Sequence, residues 1–310
     1  MMRFTKPCHW ALLVLLVGTF ADLKAQTPDS AAEPVPAAPP TMEATAQDAP
    51  TNQDVVNAGS TAEEAKFGPS YRIDLSQSMG AKTDTDTLTT LNLTARYRFN
   101  PKVSISATQR VTKLYNIDPE EDEVQLADTS LRASYAIYSE KEGPAGLGFA
   151  TAIDATLPVS QFSQDQKLTT VAGFSLTGTR TLGKLSGLVR PFYRHHINQY
   201  KTLAKDDSGA TVVRARLGVL LELAVALPND FSLSGSNQWV ERHYEDPPYG
   251  SHPPDHDYSF DVSLSYQLDK KTQFAVGYNE SNRAEQLGVV DVNLFDVESS
   301  SYFVSASREF

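Results

Sequence analysis

Arginine recurs at alternate positions in several short segments of this sequence. Arg96 and Arg98 form one such pair, and Arg214 and Arg216 form another. A guanidinium binds carboxylate or phosphate through a planar fork of donors, and a surface lined with arginine therefore favours anions. A spacing of two brings successive side chains to one face only when the backbone is a β-strand. The chemistry open to these arginines thus depends on whether their segments are strands.

Apolar and polar residues alternate through most of the chain after residue 68. In residues 258–268 every second residue is apolar, and residues 213–225 carry the longest apolar row. This period of two predicts about twelve antiparallel strands. Short connections at 100–102, 140–145, 183–184, 228–230 and 269–271 alternate with longer polar ones at 116–124, 202–210, 243–256 and 280–294.

The pattern predicts an all-β fold, an up-and-down antiparallel transmembrane β-barrel. A soluble barrel would show the same alternation with its apolar face turned inward. Here the opposite row is too rich in arginine to fill a dry core, and aromatic residues gather at the segment ends, as they do at membrane interfaces. Pro191 interrupts one segment, and a β-bulge is expected there.

The N-terminus has the layout of an export signal. Arg3 and Lys6 precede an apolar run at 10–20, and a small residue, Ala25, follows. We therefore expect a signal peptide over 1–25, a disordered periplasmic leader rich in Ala, Pro and acids over 26–67, and the barrel over 68–310. The leader is interpreted as a spacer, with a tether or a pore plug as alternatives.

The single cysteine, Cys8, lies before the apolar run of the predicted signal peptide. The exported chain would then contain no thiol, which excludes disulfides, thiolate metal sites and cysteine nucleophiles. The isoelectric point near 5.0 argues against nucleic acid as a partner.

The leader, the alternation over 69–310 and the terminal Phe310 resemble bacterial outer-membrane β-barrel proteins. In that class the last strand ends in an aromatic residue that the barrel assembly machinery reads, with apolar residues at alternate positions before it. Tyr302 and Val304 fit this pattern, whereas Arg308 departs from it. The resemblance implies an outer-membrane location, with lipid, lipopolysaccharide and the assembly machinery as partners; it indicates no particular family and no oligomeric state.

Strand parity predicts which charged residues face the lumen. Nine arginines and five acids fall on the inward row, a surplus of four positive charges: Arg72, Arg96, Arg98, Arg110, Arg132, Arg190, Arg194, Arg214 and Arg216 against Asp74, Asp128, Asp154, Glu222 and Asp261. Later segments present serine, glutamine and asparagine instead. The arrangement favours a narrow porin-like channel for small anionic or hydroxyl-rich solutes, with these arginines, Glu222 and Asp261 as selectivity residues.

Two other interpretations stay open. If the arginines pair with the inward acids and close the interior, the chain is a non-conducting structural or surface-binding, adhesive barrel. A less favoured alternative is an outer-membrane lipid hydrolase that uses His195 with Ser281 or Ser301.

Residues 243–257 combine histidines with carboxylates among prolines. These are ligand types for zinc, nickel or copper, but the spacing matches no known site. His243, His252 and His256 are therefore weak metal candidates, and no cofactor is expected.

Overall fold

The computed structural model describes residues 67–80, 87–115, 124–200, 212–245, 254–286, 289–290 and 299–310, with 282–286 and 289–290 described by their backbone only. The predicted signal peptide and all of the leader except Phe67 lie outside this part of the chain. The described strands are β1 (Gly68–Gly80), β2 (Thr87–Arg98), β3 (Val103–Leu114), β4 (Val124–Leu126), β5 (Thr129–Tyr138), β6 (Gly148–Leu157), β7 (Leu168–Leu182), β8 (Leu185–Asn198), β9 (Val213–Ala226), β10 (Phe231–Tyr244), β11 (Asp255–Gln267), β12 (Thr272–Gln286), β13 (Val289–Val290) and β14 (Ser300–Glu309).

Twelve of these strands form a closed antiparallel barrel. Each barrel strand pairs with its neighbours in sequence, β11 pairs with β12, and β14 joins β12 to β1. The two shortest strands are additions, since β4 pairs with β3 and β13 pairs with β12. The all-β, twelve-stranded, up-and-down barrel predicted from the sequence is confirmed.

The outer wall carries the apolar row. Ile153 is 65% exposed, Leu223 60% and Tyr302 59%, although all three are large apolar side chains in the middle of a sheet. Side chains at the alternate positions are more buried, as in β7, where Val171, Gly173 and Ser175 alternate with exposed neighbours. Because successive residues point to opposite faces, the outer wall is mainly apolar and the inner wall is mainly polar.

Short turns join the strands at one end of the barrel, called here the turn end, and longer connections lie at the opposite loop end. The side chain of Asn100 accepts hydrogen bonds from the backbone N–H groups of Lys102 and Val103, both at 2.8 Å. Asp269 does the same for Lys271 at 2.7 Å and Thr272 at 2.8 Å. The bond from the Lys271 N–H is the main cause that lowers the pKa of Asp269 below its usual range. These bonds fix both turns without glycine.

One loop-end connection contains a short helix, α1 (Gln161–Asp165), which begins after Ser160. The Ser160 side chain accepts a hydrogen bond from the backbone N–H of Ser163 at 3.1 Å. Within the described part of the chain, no helix is long and apolar enough to cross a bilayer.

The strands extend further than the alternation indicated. β10 continues to Tyr244 and β11 begins at Asp255, so both ends of the predicted 243–256 connection are strand. β12 continues to Gln286, well past the predicted connection start at Glu280. Backbone pairing such as His256 with Glu285 extends these strands although their residues are polar. The segments 116–123 and 201–211 of two other predicted connections lie outside the described residues.

The expected bulge at Pro191 is wrong. Ser175 pairs with Phe192, and three residues later on β7 Gly178 pairs with Val189, which is three residues earlier on β8. The register on the two sides of Pro191 is therefore the same. Proline lacks the N–H that the ladder uses, and the β7–β8 ladder shows no pair for Pro191 while keeping its register. On the other side Pro191 pairs with Val219 of β9.

One aromatic residue of the outer row is buried. Tyr258 is only 2% exposed, and its hydroxyl donates a 2.9 Å hydrogen bond to Glu280. The Tyr278 hydroxyl donates to the other carboxylate oxygen at 3.0 Å. Glu280 occupies an outward position of β12 but is fully buried. The two tyrosine hydroxyls give its carboxylate the hydrogen bonds that a buried charged group requires.

Two glycines make room for inward phenylalanines on neighbouring strands. A Cβ atom built on Gly277 would lie 2.5 Å from Cζ of Phe303 and 2.6 Å from the carbonyl oxygen of Val262. Gly218 stands in the same relation to Phe192 and to the carbonyl of Trp239. The absent side chain lets each aromatic ring lie across its neighbouring strand.

We predict that Gly277→Ala destabilises the barrel by about 1–3 kcal/mol, because the backbone carbonyl on one side of the new methyl group cannot move aside cheaply. Urea unfolding of the protein refolded in lipid vesicles measures this change. Gly235→Ala is the matched control, since its nearest atoms would lie 3.5 and 3.9 Å away. Equal unfolding midpoints for the two variants would contradict the steric argument.

Candidate functional site

Five inward arginines lie on one line of cross-strand neighbours. Each residue on this line pairs directly with the next one on the neighbouring strand. From β2 to β10 the line runs through Arg96, Ser106, Arg132, Asp154, Gly173, Arg194, Arg216 and Arg242. We call Arg96, Arg132, Arg194, Arg216 and Arg242 the arginine row. Barrel strands are tilted and staggered, and the row accordingly runs from near the turn end at Arg96 to near the loop end at Arg242.

Three members of the row are immediate neighbours. Arg194, Arg216 and Arg242 stand directly opposite one another on β8, β9 and β10. Like charges opposite each other on adjacent strands repel, so compensating contacts are needed. Arg242 forms an ion pair with Asp257, and the Arg194 guanidinium lies 5.3 Å from the centre of the Phe192 ring, within cation–π range. The Phe192 ring also packs against the β9 backbone at Gly218. This contact holds the ring in position beside the Arg194 guanidinium.

Several inward arginines are oriented by polar neighbours. These contacts are Arg72 Nε with Asp74 at 2.8 Å, Arg110 Nε with Asn92 at 3.0 Å, Arg132 with Asp154 at 3.3 Å and Ser175 at 3.1 Å, and Arg190 Nε with Thr177 at 3.2 Å. Each bond fixes one edge of a guanidinium, which has five N–H donors in all.

Three of the predicted selectivity residues are less constrained. No ion pair or side-chain hydrogen bond joins Arg96, Arg98 or Arg214 to another residue of the described part of the chain. Arg96 and Arg214 are exposed, and Arg98 is half-buried. Arg96 and Arg98 lie at the turn end and Arg214 lies at the loop end. Arginine is therefore present at both ends of the barrel.

Strand parity puts the predicted selectivity residues on inward positions except Arg214, which is the extra residue of a β-bulge where β9 pairs with β10, and the registers add others. Among strand residues whose side chains are described, the registers place nine arginines and seven acids on inward positions. The acids are Asp74, Asp154, Glu222, Asp255, Asp257, Asp261 and Glu309. Sequence reasoning missed Arg242, Asp255, Asp257 and Glu309. The signal for Arg242 was present, since it continues the even-numbered polar row of β10.

Asp128 holds a loop-end connection in place. It lies between β4 and β5, is 6% exposed, and accepts a 2.8 Å hydrogen bond from the backbone N–H of Ser160 as well as one from the Ser163 hydroxyl. Both donors belong to the start of α1. The sequence predicted Asp128 as an inward acid, and its contacts tie α1 to the barrel wall.

The inner wall formed by β10 and β11 carries hydroxyl groups towards the turn end. The Ser232 and Ser265 oxygens are 2.6 Å apart, and those of Ser234 and Ser263 are 2.9 Å apart. Beside them lies an apolar patch that the sequence did not predict, formed by Leu188, Leu220 and Ala224. Glu222 lies within this part of the wall and is only 2% exposed.

The residues of the lipid-hydrolase hypothesis do not come together. His195 is exposed on the outer wall at β8, with its Nδ1 3.5 Å from the Tyr193 hydroxyl. Ser281 and Ser301 have inward parity on β12 and β14, and three strands separate β8 from β12. A nucleophile requires its base within hydrogen-bond reach, and this arrangement does not provide it.

The weak metal candidates are only partly described. His243 Nε2 lies 3.0 Å from one oxygen of Glu241, and His256 Nε2 lies 4.0 Å from the other. His252 falls outside the described residues. Within the described ranges, no group of three or more His, Cys, Asp or Glu side chains has the geometry of a metal site.

The C-terminal strand forms the seam of the barrel. Phe310, which directly follows β14, donates a 2.8 Å backbone hydrogen bond to the carbonyl of Tyr71 on β1. Tyr302, Val304 and Phe310 are all exposed on the outer wall. The Arg308 guanidinium, which departs from the apolar pattern, lies 5.5 Å from the Phe310 ring.

The barrel is similar to solved outer-membrane proteins. An outer-membrane channel from Pseudomonas putida F1 matches with a TM-score of 0.50 and 12% identity, covering 81% of this chain and 98% of that one. The NanC porin matches at 0.48 with 14% identity over 77% and 98%, and the KdgM porin at 0.46 with 13% identity over 77% and 99%. No family model and no curated protein sequence matches the chain. The match at a TM-score of 0.50 and the closed twelve-stranded barrel show that the chain has the fold of an outer-membrane β-barrel.

We predict that the Arg242–Asp257 pair is strongly coupled, because its side chains are only 10% and 7% exposed. Asp257→Asn alone should cost about 3 kcal/mol of unfolding free energy, since it leaves a buried cation without its counter-charge. Arg242→Gln with Asp257→Asn should cost less than the sum of the single changes. A double-mutant cycle by urea unfolding tests this, and additive costs would contradict the coupling.

Proposed function

We propose that this chain is an outer-membrane barrel that forms a narrow, non-enzymatic channel for small anionic solutes. The observation that carries the proposal is the arginine row, a line of inward guanidinium groups that extends between the two ends of the barrel. Rings and lines of arginine select anions because each step along the path offers a new set of donors. An anionic solute can thus move from one arginine to the next while it stays in a positive electrostatic potential.

The outer wall supports a membrane location. Its exposed side chains include Ile73, Leu93, Ile153, Leu223 and Val304, a larger apolar surface than a soluble monomer normally exposes. We infer export by the signal peptide over 1–25, turns on the periplasmic side, and contact with outer-membrane lipid and lipopolysaccharide. The aromatic end at Phe310 supports recognition by the barrel assembly machinery.

The inner wall also suggests which solutes pass. The guanidinium groups suit carboxylate or phosphate, and the hydroxyl pairs Ser232–Ser265 and Ser234–Ser263 suit hydroxylated molecules. A small acid that carries hydroxyl groups would use both kinds of contact. We therefore infer hydroxylated organic anions as the preferred class.

The second candidate is a non-conducting structural or surface-binding barrel. It is favoured by one observation: part of the inner wall is nearly inaccessible, with Leu188 at 3%, Leu220 at 2% and Glu222 at 2% exposure. An inner wall this buried on all sides would leave no aqueous path. Conductance separates the two candidates.

The test is single-channel recording in a planar bilayer under a salt gradient. We predict a reversal potential that indicates anion preference, and a several-fold lower anion-to-cation permeability ratio when Arg96, Arg132, Arg194 and Arg216 are changed to Gln. The matched control is Arg180→Gln with Arg308→Gln, which removes two exposed arginines from the outer wall.

Equal loss of selectivity in both variants would contradict a role for the inner arginines. A correctly folded parent barrel that passes no current would exclude the channel and favour the second candidate.

A further inference from the structure

We propose that the lumen contains a binding site for an uncharged ring that carries hydroxyl groups, such as the pyranose ring of a sugar. The site consists of the Phe303 ring and four polar side chains around it: Ser78, Asn279, Ser301 and Ser305. It is separate from the arginine row and goes beyond the proposed anion selectivity. In one respect it rests on the proposed function, since a solute must be able to enter the lumen.

Phe303 lies on the inner wall where a glycine leaves room for its ring. It pairs with Gly277 of β12 on one side and with Ser78 of β1 on the other. Cζ and Cε1 of the ring take the place of a side chain at 277, since they lie 2.5 and 2.7 Å from a Cβ atom built there. The ring is half-buried. It therefore packs against the β12 backbone while part of it stays accessible from the lumen.

Every other inward neighbour of Phe303 is a serine. Ser301 and Ser305 lie two residues away on β14, about 7 Å along the strand. Ser78 lies directly opposite on β1, about 5 Å away. Asn279 of β12 pairs with Ser301. Hydroxyl and amide groups thus surround the aromatic ring on its own strand and on both neighbouring strands.

These polar groups are open to a ligand. Within the described ranges, no hydrogen bond joins the side chains of the three serines and the asparagine to another residue, and all four residues are half-buried. Ser232 and Ser265, by contrast, are hydrogen-bonded to each other. A serine hydroxyl can both donate and accept, and an asparagine amide offers two donors and an acceptor. The site can therefore form several hydrogen bonds with the hydroxyl groups of one ligand.

The charge around the site favours an uncharged ligand. The four polar side chains are neutral, and the inward charge beside them is an acid, Asp261, which pairs with Asn279. Arg72, the inward arginine of β1, lies six residues from Ser78, about 20 Å along the strand. An anion at Phe303 would thus be close to a carboxylate and far from that guanidinium.

An aromatic ring is suited to contact the flat side of a sugar ring. Its π-face carries partial negative charge, and the C–H groups on one side of a pyranose direct weakly positive hydrogen atoms towards it. The hydroxyl groups at the edge of the pyranose then point towards the polar side chains around Phe303. An open-chain polyol has similar hydroxyl groups but no flat apolar side, so the site should distinguish the two molecules.

Saturation-transfer difference NMR of the full-length barrel in lipid nanodiscs tests the site, with methyl β-D-glucopyranoside as the probe. We predict that saturation is concentrated on the C–H protons of one side of the sugar ring and is at least about fivefold weaker for sorbitol. Phe303→Leu should weaken glucoside binding about fivefold, whereas Phe303→Trp should retain it because an aromatic face is kept.

The matched control is Phe274→Leu, the same change on the outer wall of β12, where the Phe274 side chain is 45% exposed. Ser301→Ala with Ser305→Ala should weaken glucoside binding about fivefold through lost hydrogen bonds. The heat-dependent shift in electrophoretic mobility shows whether each variant is folded. Equal binding by the parent and Phe303→Leu, an equal loss in Phe274→Leu, or no binding by the folded parent would overturn the inference.

Competition separates this site from the arginine row. An excess of inorganic phosphate should leave glucoside binding unchanged, since phosphate binds guanidinium groups. Displacement of the glucoside by phosphate would place the probe at the arginines and overturn the inference.

The two proposals can fail independently. A parent barrel that binds the glucoside but passes no current would exclude the channel and leave this site in place. Anion-selective current without glucoside binding would exclude this site and leave the channel in place.

Discussion

The two-residue period of strand side chains in a closed barrel is the constraint on which the rest of the structure depends. Closure leaves no free edge, so each residue must face either the outside or the lumen. A slip of one residue in any strand would move its leucines inward and its arginines outward. Exposed Leu217, Leu221 and Leu223 on β9 therefore require Arg216 and Glu222 to face inward on the same strand.

The same constraint produces the arginine row. Arg194, Arg216 and Arg242 are far apart in sequence, yet the registers of β8, β9 and β10 bring them into direct opposition. Such a cluster is costly unless acids, rings or a bound anion offset the repulsion. Asp257 and Phe192 supply part of this offset. An interior that concentrates cations in this way is suited to binding an anion.

Much of the fold could be predicted from the sequence because the two determining signals are local. Alternation marks strands such as β7 and β9, and turn residues such as Asn100 and Asp269 mark where they stop. The strand ends could not be predicted in the same way. β10 runs on to Tyr244 because its backbone pairs with β9 and β11, and pairing is not visible in a single segment.

The site was predictable in part for the same reason. Parity alone assigns Arg96 or Arg216 to a face, but it cannot identify neighbours. The row, the Arg242–Asp257 pair and the Tyr258–Glu280 contact all depend on registers between strands. The apolar patch at Leu188 and Leu220 also needed two strands to be aligned. Sequence spacing thus predicts which wall a side chain faces, whereas the register between strands determines which side chains become neighbours.

The central claim is that the arginine-bearing wall faces water and the apolar wall faces lipid. Spin labels at single cysteines along β2, from Leu91 to Arg98, in lipid vesicles test it directly. We predict that labels at 92, 94, 96 and 98 are accessible to a water-soluble paramagnetic complex, whereas labels at 91, 93, 95 and 97 are accessible to oxygen dissolved in lipid. The reverse alternation, or no alternation, would contradict the assignment of the two walls and the channel proposed from it.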